Sequence, residues 1–570
     1  MSHSRSCRRG RLLRALLVAL TAAVVLAGCV SLPRSGPVRA SDPELPASQG
    51  IGLFARGPEA GAEPQEIVEG FLTAVQAGYS DDFLVAREFL AGSAVQTWQP
   101  LEQVRIYSDS ETPRFSRSPE GAVQLSVGSL ASVDAEGRYS ESAPDTAVET
   151  EFTLARDPEG EWRIIELDDG VVLPAAIFSS VYVSSALYFL TPDLEAFVPD
   201  ARWYPQQTLA TSLVRGLLQG PSPWLAPGVV TMVPPGTRMT VEAVTVTDNV
   251  ARVDLSAEAV SAEPDERALL YAQLERTLRG VSGVQDLEII AAGAPFEVPE
   301  DVPALQSYPY SATNMVVVSG GGLADVVGGE LVPRAGSEQL AGMDPRHPAV
   351  GYEGEGAATV LLAGTDRLIT APTAESQPFQ LYSGANLVPP SVDRHGWVWT
   401  TPAASDGRLV AVRTDGTQVA VEAPWLDGGT VRSLRISRDG ARAVVVWEEA
   451  GSVVVDTAVV VRETDGTPRG LAEPVRFAER LDDATQLAWV DEQTVAVLGT
   501  SEGDAAATVH LVPLGGPSSR LPLVEGAVTL TAGRGDRSIV LGTAAGRVHE
   551  RNGASWRPVL SDAYYPALPG

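Results

Sequence analysis

The chain of 570 residues contains no lysine: all 42 of its basic residues are arginine, set against 72 acids. This excludes Schiff-base chemistry, a phosphate-loop or kinase lysine and a serine–lysine pair, because no other side chain offers a titratable amine. Cysteine is nearly as scarce, with Cys7 and Cys29 alone, too few for a disulfide framework or a thiolate metal site. Among the five histidines, His3 is near the N-terminus, and His347, His395, His510 and His549 form neither HExxH nor any pair at metal-ligand spacing on a helix. Turn and strand-edge roles are expected for them. The glycine-rich stretches 319–322 and 351–356 adjoin strand-like text rather than the helix a nucleotide loop needs. No cofactor, metal site or catalytic residue is expected. The formal net charge of −30 argues against nucleic acid as a partner, since such binding rests on neutralising phosphates.

What is present begins with a leader. Arg5, Arg8, Arg9, Arg11 and Arg14 precede an apolar run from Ala15 to Leu26, and small residues follow at Ala27 and Gly28. The run is shorter than the roughly 20 apolar residues that a spanning helix needs, so residues 1–28 read as a cleaved signal peptide. Its loss takes the formal charge from −30 to about −35. The junction Leu26-Ala27-Gly28-Cys29 resembles the lipobox of bacterial lipoproteins. That resemblance implies that Cys29 is lipidated, carrying a diacylglycerol thioether and an N-acyl chain such as palmitate, and anchors the protein on the extracytoplasmic face of the cell membrane. At about 0.8 kcal/mol per buried methylene, more than one chain holds stably.

Residues 29–65 are rich in Pro, Gly, Ala and Ser and read as a lipidated tether. Residues 66–176 predict a small α+β domain: a helix from about Glu66 to Gly78, a second from about Asp81 to Leu90, then strands over 122–130, 147–156 and 161–169. A curved cone of the NTF2-like kind is one form this order takes. Residues 177–300 predict a second α+β domain, with strands over 179–190 and 194–205, helices near 209–219 and 264–279, and strands near 238–246, 249–255 and 284–291. Residues 307–570 are strand and turn throughout. Turns carrying Asp393, Asp439, Asp491 and Asp536 recur at intervals of 46, 52 and 45 residues, with an earlier unit at 350–364. This is the spacing of β-propeller blades, five or six of them, with a β-sandwich pair as the competing form. The fold class is thus multidomain, two small α+β domains followed by an all-β propeller.

Within the second domain, LVRGLLQGP (213–221), VPPGT (233–237), VARVDLS (250–256) and AAGAP (291–295) resemble the GerMN module of envelope and spore-germination proteins, which implies a non-catalytic role. Taken in order, lipobox, helical α+β domain with IVEGFLTAVQAGYSDDFLVAREFL (67–90), GerMN-like domain and propeller resemble the actinobacterial LpqB lipoproteins. The resemblance implies a lipid-anchored cell-envelope accessory protein whose partner is the extracytoplasmic part of the sensor histidine kinase MtrB, modulating two-component signalling and cell-wall or division processes. The residues themselves leave two alternatives: a propeller-based glycan or peptide hydrolase, and a peptidoglycan-binding structural lipoprotein. A hydrolase requires two carboxylates or a triad converging on the propeller axis. Acid pairs such as Asp81-Asp82, Asp168-Asp169, Glu448-Glu449 and Asp482-Asp483 sit at turns, where solvation explains them. Trp203-Tyr204, Trp224, Trp397, Trp399 and Trp425 are the aromatics that either cover a core or present a binding face, with blade packing expected for Trp397 and Trp399.

Overall fold

The computed structural model describes residues 55–118, 121–299, 304–306, 314–352 and 358–570. The leader, Cys29 and most of the tether lie outside them. No helix among the described residues is long and apolar enough to cross a membrane.

The first described helix, Pro64–Ala77, starts at a capping box in which the Glu66 carboxylate accepts from the Glu63 amide at 2.8 Å. Its repeat buries Ile67, Val68, Phe71 and Val75 on one face. That face packs on an antiparallel sheet ordered Trp162–Glu166, Ala147–Arg156, Val123–Asp134 and Gln103–Tyr107, with Val171–Pro174 added parallel at the far edge. The second helix is shorter than the spacing suggests, covering only Leu84–Arg87. Asp82 and Phe83 take φ of 55° and 59°, outside helical space, and the turn they make points the Phe83 ring inward, edge-on to Tyr79 and Trp98.

Between the two α+β domains lies a helix, Ala175–Val181, whose Phe178 packs in the core of the first and whose last three residues fall where the strand over 179–190 was expected to begin. The hydroxyls of Ser179 and Ser180 donate back to the carbonyls of Ala175 and Ile177, which helps hold these residues in the turn. The hairpin Tyr182–Leu190 with Phe197–Pro205 follows, then helices Leu209–Gln219 and Pro264–Leu278. A four-stranded sheet completes the GerMN-like domain, in which Val250–Leu255 and Asp286–Ala291 run parallel and the Pro264–Leu278 helix is their crossover. The fully buried Gln273 stitches helix to hairpin, donating to the Tyr188 carbonyl at 2.9 Å and accepting from the Met232 amide at 2.8 Å.

The remainder forms a propeller of six blades. The first holds Met315–Ser319, Gly322–Val327 and Glu330–Pro333, and its fourth strand is Tyr564–Ala567 from the end of the chain, paired with Met315–Ser319. Strands far apart in sequence thereby close the ring, which removes a free edge. The outer strands of the third and fourth blades meet through Glu422 and Gly470. Asp393, Asp439, Asp491 and Asp536 occupy the same place in blades three to six, between the first and second strands. Three of these carboxylates organise their own turns: Asp393 accepts from the amides of His395 and Trp397, Asp439 from Ala441, and Asp491 from Gln493 and Thr494, all within 3.0 Å.

The recurring turns of blades three to five also form the platform on which the GerMN-like module sits. Arg394 pairs with Asp193 and, at 2.8 Å, with Glu195. Ala441 joins the core of Leu213, Leu217 and Leu270. Glu492 accepts from the Tyr188 hydroxyl and pairs with Arg276 at 3.1 Å. A Cβ on Gly228 would lie 2.4 Å from Val459, so the module's 226–228 turn approaches blade four as only glycine allows.

The strand Phe197–Pro205 holds all three modules. The Trp203 amide donates to the Gly137 carbonyl at 2.7 Å, and its indole donates to the Gly515 carbonyl at 2.8 Å. Gly137 has φ of 82°, and a Cβ there would meet the Trp203 carbonyl at 2.8 Å. Arg202 donates to the Glu136 carbonyl at 2.9 Å, to Asp200 at 2.7 Å and to the Ser222 hydroxyl at 3.1 Å. The side chains of Arg202 and Asp200 are both 4% exposed. Removing one partner of such a pair strands the other charge. Asp200→Ala is therefore expected to cost about 3–5 kcal/mol and Asp200→Asn clearly less, as measured by urea unfolding.

Candidate binding cleft between the modules

The residues singled out for chemistry do not assemble into a catalytic group. His347, His395, His510 and His549 lie in four different blades, and among the described residues no three His, Cys, Asp or Glu side chains could hold a metal. His347 is held down to about 3, by burial first and then by Arg435 and Arg346. His395, 3.8 Å from Asp193, is held at about 4 by burial, Arg462 and Arg394, against the pull of Asp393 and Asp193. His510 lies 3.2 Å from Asp504, but the Ser501 hydroxyl donates to Asp504 and not to the imidazole, so the three form no nucleophile–base relay.

The acid pairs have structural work. Asp168 accepts from the Thr150 hydroxyl and Asp169 from the Gln99 amide, Arg432 joins Glu448 to Asp483, and Arg476 joins Glu449 to Asp456. Trp397 and Trp399 are 2% and 0% exposed within the propeller, and the Trp399 indole donates to Asp393 at 2.9 Å. Trp425 meets Trp447 edge-on at 5.7 Å. Trp203 is consumed by the module joint, where it lies against Tyr139 and Phe178. Cys29 is outside the described residues.

Two cavities merit a chemical reading. The one at the propeller axis is small and lined by Arg435, Arg438, Tyr352, Trp489 and several prolines; no Asp or Glu is among its described lining residues. Burial lowers Arg435 to about 10, and its guanidinium donates to the carbonyls of Pro389, Pro390 and Leu434. The described residues lining this cavity hold no carboxylate pair of the kind glycoside hydrolysis employs.

The second is a cleft of about 640 Å³ where the three modules meet. The first domain contributes Tyr139 and Glu141, the GerMN-like module Trp224, and blades four and five Phe477, Glu479 and Leu514. Its volume falls in the range of ligand sites, and junctions between domains are where such sites concentrate. Burial pushes the Glu141 carboxyl up, while the Ser518 hydroxyl, donating at 3.3 Å, and Arg480 pull it down. Glu479 is likewise raised by burial, with Arg476 opposing. The sequence pointed to Trp224 alone among these residues. Tyr139, Glu141, Phe477 and Glu479 come from segments more than 300 positions apart, and no local pattern could have joined them.

Asp504 offers the clearest titration signature. Burial raises its carboxyl, but the Ser501 amide, Arg520, the Ser501 hydroxyl and His510 together hold it at about 2. A carboxyl depressed in the fold contributes stability that is complete above its ordinary value of 3.8 and is lost as pH falls towards 2. Asp504→Asn is expected to flatten the decline in stability between pH 4 and pH 2, measured by chemical unfolding across that window.

Comparison with known proteins matches the modules in the same order. Residues 57–179 match the family described as the Lipoprotein LpqB N-terminal domain. Residues 186–297 match a module described as Sporulation and spore germination, and residues 321–569 the Lipoprotein LpqB beta-propeller domain. Lipoprotein LpqB of Streptomyces avermitilis is 27% identical over 96% of this chain and 97% of its own length. The Mycobacterium bovis protein of the same name is 29% identical over 90% of each. Among solved structures, TolB from Acinetobacter baumannii is 11% identical, with a TM-score of 0.36, covering 70% of this chain and 86% of its own. With its modules matched in order and relatives aligned along nearly the whole length, the chain belongs to the LpqB lipoprotein family.

Proposed function

We propose that the protein is a lipid-anchored accessory of the cell envelope, held on the extracytoplasmic face of the membrane through Cys29, which binds a partner protein. The partner is the extracytoplasmic part of the sensor histidine kinase MtrB, and the contact modulates two-component signalling and, through it, cell-wall or division processes. The observation that carries the reading is the joining of three modules into one body that offers a composite cleft and no catalytic constellation among its described residues. The name shared by its relatives, Lipoprotein LpqB, supports the anchor. The described lining of the axial cavity holds arginine and proline, with no Asp or Glu among those residues, which supports a binder over a hydrolase. Anchoring also lowers the affinity required, because tethering both proteins to one membrane face raises their effective concentration.

Two measurements test this reading. Cys29→Ala should abolish metabolic labelling with a fatty acid and release the chain from the membrane fraction, whereas Cys7→Ala should do neither; labelling that persists without Cys29 contradicts the anchor. The chain cut after Cys29 should bind the isolated extracytoplasmic sensor domain and turn over no glycoside, ester or peptide substrate. Turnover abolished by one carboxylate substitution would make it an enzyme instead.

A further inference from the structure

The cleft at the module junction has a charge balance that its own chain leaves incomplete. Its three lining arginines are each neutralised by an acid of the fold: Arg138 by Asp134 at 2.6 Å, Arg442 by Asp439, and Arg476 by Asp456 at 3.1 Å. Glu141, Glu473 and Glu479 also line it, and none of them enters an ion pair among the described residues. Arg480 acts on Glu141 from beyond ion-pair distance, and the acids still outnumber it. Arg480 enters no ion pair of its own among the described residues, so three carboxylates share one unengaged guanidinium and the cleft favours a cationic occupant.

The rest of the wall is apolar. Trp224 and Phe477 are half-buried, Leu514 is buried, and Val475 is 40% exposed. Two short strands border the space, Tyr139–Glu141 from the first domain and Val475–Phe477 from blade four. Each is paired on one side only, the first with Ala131–Val133 and the second with Val455–Thr457. An edge of this kind presents unpaired backbone donors and acceptors, which an extended chain satisfies by lying alongside as a further strand. Apolar walls, strand edges and surplus carboxylates together describe a site for extended polypeptide.

We propose that the cleft receives an extended peptide segment of the partner in which basic residues flank a large apolar one. The apolar side chain sits between Trp224 and Phe477, the basic groups meet Glu141 and Glu479, and the backbone runs along one of the two strand edges. This rests on the reading of the protein as a binder and specifies where and by what chemistry it binds. Because the site exists only where three modules meet, an occupant also clamps them together.

The test uses the full mature chain in detergent and two fluorescent pentapeptide probes, Val-Arg-Trp-Arg-Val and Val-Glu-Trp-Glu-Val, read by anisotropy. The basic probe should bind at least about tenfold more tightly than the acidic one. The paired substitution Glu141→Gln with Glu479→Gln, and separately Trp224→Ala, should each weaken it by about fivefold or more. Glu330→Gln, on the outer strand of the first blade, should leave it unchanged. Equal binding of the two probes, or cleft variants that fold normally by circular dichroism and bind as the parent does, would overturn the proposal. Spermidine displacing the probe without any polypeptide preference would overturn its peptide part. If the sensor domain binds and the cleft variants leave that binding intact, the inference fails while the binder reading stands. If the sensor domain does not bind yet the basic probe binds and the variants lose it, the cleft stands and the named partner falls.

Discussion

Arginine is the only side chain of this sequence that is cationic throughout the neutral range, and the architecture depends on what a guanidinium can do that an ammonium cannot. Its fork of five donors reaches several acceptors from one rigid plane. Arg202 joins Asp200, Ser222 and the Glu136 carbonyl at the meeting of the first two modules. Arg276 stacks over Tyr188 at 4.3 Å while pairing with Glu492 of blade five. Arg394 reaches Glu195 at 2.8 Å while its Nε donates to the Asp439 carbonyl of the next blade at 2.7 Å. One side chain in each case links two modules or two blades, and a lysine at any of these places would satisfy only part of the set.

These forks act at joints that apolar packing has already closed. The Leu213, Leu217 and Leu270 core of the GerMN-like module runs on into Ala441 and Val459 of the propeller, and Trp203 packs against Tyr139 and Phe178 of the first domain. Burial of that kind supplies most of the adhesion and little of the register. The hydrogen bonds from Trp203 to Gly137 and Gly515 set the register. The cleft is a by-product of this fit, a gap left where the three modules meet, lined by the side chains each brings to its rim.

Much of the fold could be read from the sequence because it is written in local periods. The helical repeat of Ile67, Phe71 and Val75 and the spacing of Asp393, Asp439 and Asp491 each record one buried face or one hairpin, and the structure places a helix or a blade at each. The readings that failed were those in which a particular side-chain contact, distant for Phe83 and local for Ser179 and Ser180, overrides the periodic pattern. The helix expected to begin near Asp81 is cut back by the inward turn of Phe83 towards Trp98, and the start of the strand expected at 179 is helical. The cleft was out of reach because its walls come from segments far apart in the chain. Trp203 looked as suited to a partner as to a core, and only the position of Gly515, more than 300 residues on, decides between them.

The account stands on the claim that the three modules behave as one body. A calorimetric scan of the chain cut after Cys29 tests it most directly. If the joints at Arg202, Trp203 and Glu492 bind the modules as described, the first domain, the GerMN-like module and the propeller unfold in one cooperative transition, and Trp203→Ala separates an earlier, smaller event from it. Resolved transitions in the parent chain, unchanged by Trp203→Ala, would show three independent modules on a string and contradict the account.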